Sequence, residues 1–213
     1  MKQSPRPAAE DPRLVLRRLY RDEDGYELHG YELDPDDDAR VRATNSSPTY
    51  GEIMPTATDR LIEHLGMRRD DVFYDLGSGV GKVVLHVAMR APIRRVVGVE
   101  LVRSRHRIAR RVLDQVKAAG LARAGECELR CADFMRTPMG DATVVYTCST
   151  AFPTPFMNEL AARLARLCTG LRWVSTQDLD ENPWFELEDV LRLDMSWRRK
   201  SKVHVYRLTR SRR

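Results

Sequence analysis

From Pro55 onward the chain alternates short apolar runs with longer stretches whose apolar residues recur every three or four positions. The short runs at residues 72–76, 95–99, 127–131, 143–147 and 171–175 predict five strands. Residues 96–99, Val-Val-Gly-Val, are apolar enough to be buried on both faces. The longer stretches predict helices. One carries Leu61, Ile62 and Leu65, with Thr58 or Asp59 as its cap and Gly66 as its end. A second runs over 81–90. A third, over 102–119, puts Ile108, Val112, Val116 and Ala119 in one stripe. In a fourth, Thr154-Pro155 form the cap and first turn, and Met157, Leu160, Ala161, Leu164 and Leu167 face inward. Two further runs, 187–195 and 203–208, have no helix between them and predict an antiparallel pair. The pattern is an α/β fold: an open, mostly parallel sheet with a C-terminal antiparallel hairpin. Such sheets bind ligands at the carboxyl ends of their strands.

The first 49 residues lack this alternation and read as an extension ahead of a domain spanning 50–213. Residues 1–12 are polar, contain proline and predict disorder, without the apolar segment of a secretory signal. Residues 14–20 form a short apolar element. Gly25-Tyr-Glu-Leu-His is echoed by Gly30-Tyr-Glu-Leu-Asp, which predicts a local hairpin or two turns. An acidic loop at 34–38 and a loop at 44–51, rich in Asn, Ser, Pro and Gly, lead into the domain.

Charge adds polarity to this picture. The net charge is +5, yet residues 22–38 hold nine acids and no Lys or Arg, whereas 94–111 hold seven arginines and one acid, and 192–213 nine basic residues and one acid. The basic segments make nucleic-acid contact a candidate. Of 36 basic residues only five are Lys, a chain-wide bias that genome composition also produces. No apolar run approaches the ~20 residues of a membrane span. Cys127, Cys131, Cys148 and Cys168 match no common zinc spacing or disulfide scaffold, so no metal site is expected. Reduced thiols in a cytoplasmic protein are expected, with Cys127 and Cys131 buried on one strand face.

The chemistry concentrates at residues 72–81, Val-Phe-Tyr-Asp-Leu-Gly-Ser-Gly-Val-Gly. An apolar strand ends at Asp75, and Gly77, Gly79 and Gly81 bracket Ser78 in a turn that lets a ligand approach main chain closely. A dinucleotide fingerprint runs G-x-G-x-x-G. Here the third glycine comes one residue early, and Lys82 stands where that fingerprint wants Gly. A carboxylate two residues before the first glycine is awkward beside a pyrophosphate and suits an ammonium. Glu100 closes the second strand, where a carboxylate accepts both hydroxyls of a ribose at ~1.5–3 kcal/mol per charge-assisted bond. Asp133 follows the third strand and, with Phe134, offers an acceptor and an apolar surface to adenine. Three acids at three successive strand ends favour S-adenosylmethionine over a dinucleotide. His86, on an apolar helix, is expected in the core or at the surface, and Lys82 is expected to be solvated, so no general base is assigned.

Tyr50-Gly-Glu52, the string from Asp71 through Gly81 to Ala88, and Gly98-Val-Glu100 resemble the non-SET histone lysine methyltransferases named for disruptor of telomeric silencing. Asp133-Phe134, Ala151-Phe152 and Ser196-Trp197 fit the same order. The resemblance implies the class I, seven-stranded, Rossmann-like methyltransferase fold and methyl transfer from S-adenosylmethionine to a protein lysine. It places Tyr50 and Glu52 on a loop over the cofactor, with Asp75, Gly77 and Gly79 at its methionine end, Glu100 at ribose, and Asp133 with Phe134 at adenine. Cys148, Ser149 and Phe152 would line the lysine channel with Trp197. The family usually carries two asparagines where Cys148 and Ser149 stand, and the chain length fits a small bacterial or archaeal member. Competing readings are an RNA or small-molecule methyltransferase on the same fold, and a catalytically silent binding module.

Overall fold

A computed structural model of the chain describes residues 10–21 and 33–212. Its sheet is built from β1 (Val72–Leu76), β2 (Arg95–Glu100), β3 (Glu126–Cys131), β4 (Val144–Thr147), β5 (Arg172–Ser175), β6 (Phe185–Leu193) and β7 (Ser201–Leu208). The spatial order is β3-β2-β1-β4-β5-β7-β6. The first five strands pair parallel, and β7 runs antiparallel to both β5 and β6. All five residues of β1 are buried, because helices cover both faces of the central strands. On one face lie α1 (Pro12–Leu19), α3 (Pro55–Leu65), α4 (Lys82–Arg90) and α5 (Arg103–Ala118), packed on Phe73, Val96 and Val144. On the other, α6 (Thr154–Leu164) packs Leu160 and Leu164 on Val72, Tyr74 and Trp173. The Trp173 indole donates to Thr147 Oγ1 at 3.0 Å, so its polar edge is satisfied in the core.

The strands lie within a residue or two of the expected runs, and α4 and α5 start within one residue of theirs, but the caps of α3 and α6 differ from expectation. α3 begins at Pro55 with Met54 at its cap, so Thr58 and Asp59 are interior residues, and the Thr58 hydroxyl donates back to the Met54 carbonyl. α6 likewise has Pro153 at the cap, and Thr154 makes no capping bond. The expected acidic loop at 34–38 is the start of α2 (Pro35–Arg42). Asp34 accepts from the Asp37 N–H at 2.8 Å, and three acids in the first turn complement the helix N-terminus. The buried stripe of α5 is Arg105, Ala109, Val112, Leu113 and Val116, rotated from the expected one, with Ala119 exposed. Cys127 is buried, but Cys131 at the strand end is exposed.

Residues 10–49 are no loose appendage where described. Asp11 caps α1, so 11 and 12 are ordered. Val15, Leu16 and Tyr20 join the main core, and the Tyr20 hydroxyl donates to the Val80 carbonyl at 2.6 Å. Both copies of the Gly-Tyr-Glu-Leu echo begin within residues 22–32, outside the described residues, as do residues 1–9 of the expected disordered terminus. Among the described residues, no helix is long and apolar enough to cross a membrane.

Candidate functional site

Parallel register brings the strand ends together. Asp75 of β1 lies opposite Gly98 of β2 and Tyr146 of β4. Its carboxyl is 2% exposed and receives no hydrogen bond or ion pair among the described residues, and it faces a cleft also lined by Ser78, Glu100, Asp133 and Phe134. Burial, and then the nearby Glu100 charge, push the Asp75 pKa well above the usual carboxylate range. The Ser78 hydroxyl is also buried without a partner. Two orphaned polar groups in one cleft fit a polar, cationic occupant better than a packed core. Glu100 has a second duty. It accepts the Gly79 N–H at 2.7 Å through one oxygen and the Val102 N–H at 2.8 Å through the other. A carboxylate has about four acceptor sites, so capacity remains for a ligand hydroxyl. Asp133 accepts the Met135 N–H at 2.8 Å, which fixes the turn that presents Phe134.

The glycines divide by role. Gly77 and Gly79 line the cleft, and Gly79 (φ +54°) lies flat beneath the Tyr50 ring, where any side chain would overlap that ring. Gly81 does not line the cleft. A Cβ there would come within 2.9 Å of Ala109, so its absence lets α5 approach the turn.

The segment from 44 to 53 folds over this turn and is tied down at several points. Tyr50 donates to Glu52, whose carboxylate pairs with Lys82 at 2.8 Å. Lys82, expected to be solvated, is thus an anchor. The Ser196 N–H donates to the Glu52 carbonyl at 2.7 Å, and the Glu52 N–H donates to the Ser196 hydroxyl at 3.0 Å. Arg105 donates to the Pro48 carbonyl at 2.6 Å, with its guanidinium 5.1 Å from the Tyr50 ring centre. Asp37, fully buried, accepts the Arg103 and Ser104 N–H groups at 3.0 and 3.2 Å, capping from α2 a helix with no cap of its own. Arg105 was legible in principle, since it falls on the same helical stripe as Ala109 and Val112. Arg105→Ala is expected to lower stability by about 2 kcal/mol, the worth of a charged hydrogen bond with its cation–π contact. Thermal melting with and without cofactor would measure it, and a larger loss is expected in the cofactor-bound form.

Elsewhere along the cleft, Phe134, Phe152 and Phe156 form an aromatic cluster with centroids 5.1–6.0 Å apart, and all three line it. Phe156 was read only as part of a helix. Cys148 lines the cleft too, its thiol donating to the Gly51 carbonyl at 3.4 Å. Burial and the Asp75 charge push that thiol up to about 12, so it is no thiolate nucleophile. Ser149 departs from expectation. Its hydroxyl is fully buried and pairs with Ser175 at 2.8 Å, and it does not line the cleft. Trp197 is 43% exposed and sits on the outer side of Gly51, flanking the loop rather than lining the cleft. His86 is core, its Nε2 2.9 Å from Asp59. Among the described residues no cluster of His, Cys, Asp or Glu could hold a metal ion.

The strand order and helix layers are those of the class I S-adenosylmethionine-dependent methyltransferase fold. A solved RNA methyltransferase from Salinibacter ruber, in complex with S-adenosyl-L-homocysteine, aligns with a TM-score of 0.55 at 27% identity, over 74% of this chain and 92% of that one. The magnesium protoporphyrin IX methyltransferase of Synechocystis PCC 6803 aligns with a TM-score of 0.55 at 15% identity, over 97% and 100%, a likeness of fold alone. Within that class the chain belongs to the DOT1 family, described as "Histone methylation protein DOT1", which matches residues 37–189. The H3 lysine-79 specific histone-lysine N-methyltransferase of Drosophila melanogaster is 31% identical over 140 residues, 62% of this chain but 8% of that protein. A protein-lysine N-methyltransferase of Saccharolobus islandicus is 30% identical over 101 residues, 47% of this chain and 57% of that protein. The chain thus spans a small part of the length of its animal relatives.

Proposed function

We propose that the chain transfers the methyl group of S-adenosylmethionine to a lysine side chain of a protein. The observation that carries this is the unpartnered, buried Asp75 carboxyl beside the glycine turn, with Glu100 on the next strand end. Asp75, Gly77, Ser78 and Gly79 would hold the methionine end, Glu100 the ribose, and Asp133 with Phe134 the adenine. Tyr50 and Glu52 would close over them. The bound cofactor supplies an activated methyl group. What the protein adds is alignment of the nucleophile and exclusion of water. Phe152 and Phe156 give the acceptor a dry aromatic wall, with Cys148 beside it and Trp197 at the rim. Such a wall lowers the pKa of an entering ammonium by desolvation and so favours the neutral amine. The working unit in this proposal includes α1 and α2, and the cytoplasm is its proposed compartment.

Asp75 gives the proposal a pH signature. In the unliganded protein its carboxyl is favoured protonated, so stability is full at low pH and falls as pH rises through the raised pKa. A cationic ligand favours the ionised form. Cofactor binding is therefore expected to release up to one proton and to tighten as pH rises from the usual carboxylate range towards that raised value. Calorimetry in two buffers of different ionisation enthalpy measures this release, and Asp75→Asn should abolish it.

RNA is the second reading, favoured by the substrate class in the name of the Salinibacter relative. Arg198, Arg199 and Lys200 at the β6–β7 turn and Lys202 at the start of β7 are exposed and would supply nucleic-acid contact, whose affinity is expected to fall steeply with salt. Transfer of radiolabelled methyl groups to a cell lysate, followed separately by protease and ribonuclease, decides between acceptors. Protease-sensitive label recovered as methyllysine is expected. Ribonuclease-sensitive label would replace the proposal with the second reading, and no label at all would favour a silent binding module.

A further inference from the structure

Tyr146 carries an oxygen that the fold does not use. Its ring stacks on Phe73 in the core, with centroids 6.5 Å apart, a contact phenylalanine would make equally well. The residue is 1% exposed, lines the cleft, and its hydroxyl has no hydrogen-bond partner. The Cys148 thiol lies beside it but is committed to the Gly51 carbonyl and does not meet hydrogen-bond geometry with the phenol. Burying an unpartnered hydroxyl costs about 1–3 kcal/mol. An oxygen kept at that cost, on a residue that lines a cleft, points to an occupant of the cleft.

Position along the cleft says which part of the occupant. Asp75 and Tyr146 are register partners on adjacent strands and point to the same face of the sheet. Cys148 follows two residues on and lines the same cleft as Phe152 and Phe156. Tyr146 thus shares one cleft with the carboxylate assigned to the ammonium and with the Phe152 and Phe156 wall. In S-adenosylmethionine, three carbons separate the ammonium nitrogen from the sulfur, and the sulfonium methyl points at the acceptor. We propose that the Tyr146 hydroxyl oxygen contacts the sulfonium methyl group, accepting its polarised C–H bonds and so favouring the methyl donor over the demethylated product. This rests on the cofactor assignment above. Burial holds the phenol protonated, so the contact is a lone pair on a neutral hydroxyl rather than a phenolate that could itself be methylated. Lys82, which lines the same cleft, pairs with Glu52.

The test compares S-adenosylmethionine with S-adenosylhomocysteine, which lacks the methyl group and the positive charge. Calorimetry on wild type and Tyr146→Phe gives four dissociation constants. The variant is expected to melt at the wild-type temperature or higher, to bind the product within twofold of wild type, and to bind the donor about three- to fivefold more weakly, the worth of such contacts. A parallel loss for both ligands would place the hydroxyl against a part they share and overturn the proposal; no loss for either would also overturn it. A wild-type protein that binds neither ligand would remove the cofactor assignment itself, a different failure. A second measurement does not depend on the variant. With donor labelled at the methyl carbon, the bound methyl proton resonance of wild type is expected to shift downfield of the free ligand, and an unshifted resonance would contradict the contact.

Discussion

Gly79→Arg is expected to abolish cofactor binding while leaving the sheet folded. Gly79 has φ +54°, where L side chains are strained, and its Cα sits beneath the Tyr50 ring. A side chain there must either enter the cleft or expel Tyr50. If it expels Tyr50, it also breaks the chain of contacts from Tyr50 to Glu52 and from Glu52 to Lys82. Either way the space for a ligand at the turn is lost, so binding should fall by more than a thousandfold, an effect of about 4 kcal/mol or more. The turn lies at the edge of the core, so far-ultraviolet circular dichroism should keep its wild-type form. Calorimetric titration with S-adenosylhomocysteine checks the first half, and the spectrum checks the second.

Glu100→Ala should have the next largest effect, exceeding the 10–100-fold of one lost ribose contact. The carboxylate also holds the N–H groups of Gly79 and Val102, one at the turn and one at the entry to α5. Alanine leaves two buried donors without a partner, at about 1–3 kcal/mol each before water relieves them. The expected result is a loss of at least 100-fold in affinity together with about 2–3 kcal/mol in stability. Glu100→Gln restores one acceptor oxygen and should recover part of the stability but little of the affinity. Paired melting curves and titrations of the two variants separate the ligand contact from the structural one. A variant of wild-type stability and affinity would remove Glu100 from both roles.

The strands were legible because their pattern is local. Val72–Leu76, bounded by charged residues and glycines, has no other way to be buried on both faces. The caps of α3 and α6 were misplaced, by about a turn and by one residue, for the same reason. Hydroxyl and carboxylate caps were sought, whereas α3 and α6 have Met54 and Pro153 at the cap and proline at the first turn, where fixed φ replaces a capping bond. The three strand-end acids were legible because strand order and chain order coincide there. Residues placed by long-range contact were not. Asp37 reads as one acid in an acidic run, yet it caps α5, some 66 positions away in the sequence. Ser149 reads as a neighbour of Cys148, yet past the end of β4 its hydroxyl pairs with Ser175 on β5. Phe156 reads only as part of a helix and Tyr146 only as part of a strand, and their place at the cleft depends on how β4 and α6 are juxtaposed.

The grip of buried acids on a cationic adenosyl ligand is tested most directly by one titration series at neutral pH: S-adenosylmethionine into wild type and into Asp75→Ala. The account predicts one site per chain in wild type and at least a tenfold weaker site in the variant, which should itself be as stable as wild type or more so, because an orphaned buried carboxyl has been removed. Equal affinity in the two proteins, or no binding by wild type, would contradict it.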